Sequence, residues 1–198
     1  MNEVLYKKAK RLILINDILR YVGIVFAIVI ILIPYFPEIS FLVNNDHKNS
    51  EQFVLPPSVD MAIKNRIDYL YIPAIGVEEN IVQAQDIRQV HERVWHRPKT
   101  SNPKEGGNTV LVAHRYATIG GNRASTFYHL PKLISGDKIY MVWDGVLYTY
   151  VVQSTETVLP TAVEIEAPTT DNRLTLYTCT PLWTASHRFV IHAVPEII

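Results

Sequence analysis

The sequence predicts a mainly β domain, closed into a small barrel and carried behind a single transmembrane helix. Three observations predict it. Tyr21 to Ile33 is an unbroken apolar run with basic residues on its N-terminal side. After Asn65 the chain breaks into short β-rich runs separated by glycine, proline and asparagine. Only one later stretch carries a helical pattern. Seven or so short strands with few helices, in about 130 residues, point to a closed barrel.

Composition removes several function classes. The 198 residues suit one ordinary domain plus an appendage. Nineteen basic and nineteen acidic side chains leave no formal net charge, which argues against a nucleic-acid partner. Cys179 is the one cysteine, so an internal disulfide is impossible and zinc sites built on several thiolates are excluded. No His-Glu-x-x-His or other tight ligand spacing exists, and neither a metal nor a cofactor is expected.

The apolar run sets the first element. Ile18 to Phe36 is 19 residues, roughly 28 Å as a helix, close to the hydrocarbon thickness of a bilayer. Arg20 stands near its start, where a long stem can snorkel, and Tyr35 stands where an interfacial aromatic belongs. Lys7, Lys8, Lys10, Arg11 and Arg20 outnumber Glu3 and Asp17 in the first twenty residues. The positive-inside rule keeps that end cytoplasmic. A cleaved signal peptide would need a small-x-small site, and Pro34 to Val43 offers none. The expected organisation is a basic cytoplasmic segment 1–17, a membrane anchor 18–36, a linker 37–65 and an extracytoplasmic domain 66–198.

The domain's elements follow from turn chemistry and alternation. Asp68–Ile72 and Val77–Gln83 flank Pro73 and Gly76. Thr109–Ala113 follows the turn Gly106-Gly107-Asn108. Ala124–Leu133 reads as a helix, with Phe127, Leu130 and Leu133 on one side. Lys138–Trp143 and Val146–Thr155 are joined by Asp144-Gly145, a two-residue type I′ hairpin signal. That turn pairs Trp143 with Val146 and Met141 with Tyr148. Arg173–Cys179 and Arg188–Val194 complete the set.

The chemistry starts at Cys179. It ends the run Leu174-Thr175-Leu176-Tyr177-Thr178, with Pro181 two residues on, so it belongs at a strand end facing a loop. A lone cysteine is often a small buried hydrophobe. Outside the membrane, a free thiol without a partner risks oxidation, which favours a working nucleophile. Such a thiol needs a base or a cationic neighbour. Among seven histidines, His114 closes Thr109–Ala113 and His187 sits beside Arg188; spacing leaves them as rivals. Arg188 starts a strand nine residues after Cys179, and adjacent strands would bring the two together. A guanidinium there can donate to a developing oxyanion and to substrate carbonyls.

Thr175-Leu176-Tyr177-Thr178-Cys179 resembles the Thr-Leu-x-Thr-Cys motif of the sortases, the cysteine transpeptidases of bacterial cell surfaces. Asn108 to Arg115 resembles their histidine strand, Arg188-Phe189-Val190-Ile191 their arginine strand, and Phe127 to Asp137 their middle segment. The resemblance spans Arg66 to Val194 and selects His114 over His187. It implies a mixed eight-stranded β-barrel that cleaves a sorting signal similar to Leu-Pro-x-Thr-Gly near the C terminus of secreted proteins. It also implies Cys179 as nucleophile, His114 as proton carrier and Arg188 as oxyanion and substrate holder. Thr178, beside the nucleophile, is expected at the substrate-binding site. The amine acceptor would come from a cell-wall precursor or a pilin lysine.

Departures narrow the subclass. Pilus-building sortases usually carry an Asp-Pro-aromatic lid, and Pro37–Asn65 contains none. The chain stops at Ile198 without a second apolar segment, and its Cys–Arg connector is short. A housekeeping or class D/E-like anchoring enzyme is expected. Glu92, Glu105, Glu164 and Glu166 are the acids that a calcium-dependent relative would use, and calcium is not expected. An L,D-transpeptidase would show Ser-x-Gly-Cys, whereas Tyr177-Thr178 precedes Cys179. A papain-like hydrolase would start a helix at its cysteine. A non-catalytic anchored β-domain with a buried cysteine is the remaining rival.

Overall fold

The structure, a computed structural model, describes residues 3–32, 38, 54–85, 93–116 and 126–196. Residues 1–43 and 44–198 form two compact units. In the first, helix α1 runs Glu3–Leu32, and its 27-residue stretch Tyr6–Leu32 is long and apolar enough to cross a membrane. It begins well before Ile18 because the basic residues ahead of the apolar run are themselves good helix formers. Glu3 pairs with Lys7 one turn on, and Arg20 lies 5.4 Å over the Tyr21 ring. The expected exit at Pro34 and Tyr35 lies outside the described residues.

The second unit opens with helix α2, Pro57–Asn65. The linker reading of 37–65 gave no element here, and this is a correction. Pro57 starts the helix, where its missing N–H costs nothing. Val59 and Ala62, three apart, are buried in one cluster with Val142 of the sheet. Arg66 ends the helix in the left-handed region at φ 55, and Ile67 N–H closes on Ala62 O at 2.9 Å.

Eight strands follow: β1 Tyr69–Ile72, β2 Val77–Gln83, β3 Val94–His96, β4 Asn108–Val112, β5 Lys138–Trp143, β6 Val146–Val158, β7 Arg173–Thr180 and β8 His187–Pro195. They close into a barrel in the order β1-β2-β3-β4-β7-β8-β6-β5. The β2–β3 and β4–β7 pairs are parallel and the others antiparallel. The expected mixed eight-stranded barrel is therefore present. Its interior is filled by side chains such as Leu70, Leu111, Met141, Leu176 and Ile191. Full burial of one such residue stabilises by about 1.5–3 kcal/mol, against about 0.2–1 kcal/mol for a cross-strand pair. Which face turns inward thus sets the register more than pair identity does.

The β5–β6 hairpin has the expected register, with Trp143 opposite Val146 and Met141 opposite Tyr148. Asp144 and Gly145 both have positive φ, 49° and 79°, as a type I′ turn demands. Arg66 donates to the Asp144 carboxylate and holds its pKa below the ordinary range. The helix expected over Ala124–Leu133 is different. Its described part, from Thr126, is a turn followed by a 3-10 helix at Leu130–Lys132. Leu130, Lys132 and Leu133 each donate to the carbonyl three residues back. Pro131 has no N–H to offer an α-helical ladder. The three-residue repeat still turns Phe127, Leu130 and Leu133 into the barrel core.

Candidate active site

Strands β4, β7 and β8 lie side by side, and alternation sorts their residues onto two faces. Leu111, Ala113, Leu174, Leu176 and Ile191 enter the barrel core. Val110, Val112, Tyr177 and Val190 face outward and are covered by Ile165 in a second apolar cluster. Cys179 follows Tyr177 on that outer face, and Arg188 precedes Val190 on it. Cys179 and Arg188 are direct partners across the antiparallel β7–β8 pair. The parallel β4–β7 ladder ends with Val112 opposite Tyr177. His114 and Cys179 each lie two residues beyond that last pair. Cys179 and Arg188 thus face each other on β7 and β8, and His114 follows the end of the strand beside them.

Local bonds hold this end together. Thr178 is buried, and its hydroxyl donates to Ala113 O at 2.9 Å, tying β7 to the residue before His114. Phe127 N–H donates to His114 O at 3.0 Å. The His114 side chain is exposed, and Cys179 is a half-buried free thiol. One Arg188 nitrogen donates to Ala185 O and His187 O, each at 3.1 Å, across the mouth of the β7–β8 connection. His187 is paired with Thr180 and so leaves the opposite face from Cys179; its Nδ1 lies 2.9 Å from Ser186 Oγ. His192 sits mid-β8 with Nε2 2.7 Å from Glu156 Oε1.

A polar network beside the cysteine went unread in the sequence. Arg97 grips Glu166 with two hydrogen bonds, 2.8 and 2.9 Å, and lies 4.7 Å over the Trp95 ring. Tyr177 donates its hydroxyl to the same carboxylate at 2.5 Å. Burial and this bond push the Tyr177 pKa far up, so the group stays a donor throughout neutral pH. Buried Asn108 adds two bonds from its amide, to Ile165 O and Ala167 O. Together these seat the 3-10 helix Val163–Glu166 over the outer face that carries Cys179. The one sequence signal for it was Tyr177, two residues before Cys179 and therefore on its face.

The same network bears on the calcium-type acids. Glu166 is taken by Arg97 and Tyr177, Glu105 and Glu164 are exposed, and Glu92 lies outside the described residues. Arg97→Met should cost about 1–2 kcal/mol, because it strands a largely buried carboxylate. Denaturant titration checks this, and the double variant Arg97→Met/Glu166→Gln should cost less than the two single changes added together. Fully additive losses would mean that the two groups do not act as a pair.

The comparisons with known proteins agree with this geometry. The sortase domain family matches residues 70–196, well over half of the chain. A lid mutant of sortase A from Corynebacterium diphtheriae superposes with a TM-score of 0.60 at 25% identity, covering 67% of this chain and 71% of that one. Sortase C1 of Streptococcus agalactiae superposes at 0.59 with 28% identity, covering 68% and 69%. Sortase E1 of Streptomyces coelicolor, at 22% identity and 0.59, covers 66% and 88% and supports the fold alone. The search of curated proteins found no match. A closed mixed barrel, a cysteine at the end of β7 and a sortase domain across 70–196 place this chain in the sortase family of cysteine transpeptidases.

Proposed function

We propose that the chain is a membrane-anchored sortase that joins secreted proteins to an amine of the cell surface. The observation that carries this reading is Cys179 opposite Arg188 on β7 and β8, with His114 two residues past the end of the neighbouring strand β4. Cys179 Sγ attacks the threonine carbonyl of a Leu-Pro-x-Thr-Gly-like signal. As the tetrahedral intermediate collapses, the peptide C–N bond breaks, a thioester forms and His114 gives its proton to the leaving amine. An incoming amine then attacks the thioester, yields its proton to His114 and releases the thiolate, leaving a new amide. Arg188 donates to the oxyanion and to substrate carbonyls. Thr178 serves by holding β7 against the His114 segment, as its buried bond to Ala113 supports.

The acceptor amine is a cell-wall precursor or a pilin lysine, and the housekeeping or class D/E-like reading favours the wall. The test incubates the full chain in detergent with a panel of sorting-signal peptides and several amines, with products read by mass. A ligated product carrying the peptide up to its threonine is expected. Peptides left whole by the whole panel would overturn the reading.

The anchor is α1, and the orientation proposed is N-terminus inside, barrel outside, with 1–17 cytoplasmic, 18–36 spanning and the catalytic domain extracellular. Five basic residues before the apolar run support it. Protease added to intact spheroplasts should digest the barrel domain. Digestion that required lysis would reverse the orientation.

A further inference from the structure

The backbone ladder between β4 and β7 stops at the Val112–Tyr177 pair, two residues short of His114 and Cys179. Beyond that point the separation of imidazole and thiol is left to side chains. Thr178 supplies one link, below His114. The two residues that follow His114 reach the end of β7 and the connection beyond it. Arg115 Nη1 donates to Thr180 Oγ1 at 2.6 Å. The Tyr116 ring meets the Trp183 ring edge-on at 5.4 Å between centroids.

This arrangement is held at a cost that packing alone does not explain. Trp183 and Ala185 both adopt left-handed backbone, φ 77 and 49, although neither is glycine. Arg115 is half-buried, and its Nε is enclosed without a hydrogen-bond partner among the described residues. Trp183 is 66% exposed, so core burial is not what keeps it in a strained conformation. Strain and an orphaned donor cluster where the fold must hold a particular geometry.

We infer that Arg115, Tyr116 and Trp183, with Thr180 as acceptor, form a clasp that sets the approach of His114 to Cys179. They are positioning residues, and the inference rests on the thiol–imidazole reading above. A thioacyl transferase needs such a device. The same imidazole must reach a leaving amine and then an incoming one, and a displacement of about 1 Å can cost 10²-fold in rate.

The test uses the full chain in detergent, with iodoacetamide alkylation of Cys179 followed against pH, beside kcat and KM for a cleaved peptide. Thr180→Val keeps the shape and removes the acceptor; Thr180→Ser restores it. Arg115→Gln and Trp183→Ala break the two links separately. Thr180→Val, Arg115→Gln and Trp183→Ala should each lower kcat about 10–100-fold with KM within about twofold. Each should also move the alkylation profile in the direction that His114→Ala moves it, while Thr180→Ser stays near wild type. Unaltered kcat and profile in the first three variants overturn the clasp. So does a loss confined to KM, which would make these residues substrate contacts, or a serine variant as damaged as the valine one. If His114→Ala leaves the alkylation profile unchanged, the thiol–imidazole pairing itself fails, and that result is separable from failure of the clasp alone. The alkylation profile needs no substrate and so tests the clasp whatever the peptide panel shows.

Discussion

Cys179→Ala is expected to abolish both cleavage and transfer while the barrel stays folded. The thiol is half-buried at a strand end, so losing one sulfur leaves little cavity. There is no second cysteine in the chain to replace it. Covalent catalysis divides one difficult amide exchange into two easier steps, and without the nucleophile neither step exists. The measurements are peptide cleavage, amine ligation and a thermal midpoint for the variant against wild type. Substantial turnover by the alanine variant would end the thioacyl mechanism. Lost turnover together with a collapsed midpoint would instead show that the sulfur is structural.

The second large effect is expected at Arg188, through a change that keeps its charge. Arg188→Lys should lose about 10²–10³ in kcat/KM, equivalent to about 3–4 kcal/mol of transition-state stabilisation. In the structure one guanidinium nitrogen already donates to two carbonyls, Ala185 O and His187 O. The planar fork has further donors on its remaining nitrogens, so the group can brace the loop and still offer bonds to an oxyanion. A lysine ammonium is a compact point charge on a flexible stem and cannot reproduce that division of donors. Arg188 is level with Cys179 across the β7–β8 pair, so the lost donors are lost beside the reacting sulfur. Near-normal kcat/KM in the lysine variant would mean that charge alone matters, and the hydrogen-bonding role would be dropped. An equal loss in KM with kcat intact would assign Arg188 to ground-state binding.

Much of the barrel was legible because its signals are local. Alternation and turn residues mark β1, β2, β4, β5, β6, β7 and β8 to within a few residues of their observed ends. The Asp144-Gly145 turn reveals even its cross-strand pairs, since a two-residue loop admits one register. Other elements had no local signal. β3 has three residues and exists through its parallel pairing with β2 and its antiparallel pairing with β4. α2 carries two buried residues, and the partner that buries them, Val142, lies about eighty positions away. The helix expected near Leu130 failed for a reason that was present in the sequence: Pro131 withholds the N–H that an α-helix needs.

The site divides along the same line. The sequence by itself determined an apolar segment long enough to cross a membrane, a β-rich domain and a lone thiol at a strand end. It also determined that an arginine starts the next strand, because antiparallel neighbours joined by a short connection pair their facing ends. Tertiary structure alone decided that β4 and β7 pair in parallel across 65 residues of sequence, with Thr178 tied to the residue before His114. It also decided that Arg97, Glu166 and Tyr177 share one carboxylate, and that Arg115 and Tyr116 reach across to Thr180 and Trp183. Strand periodicity tells which face a residue takes, whereas a parallel pair needs a long crossover whose length says nothing of register. Only the closing of the barrel sets that register.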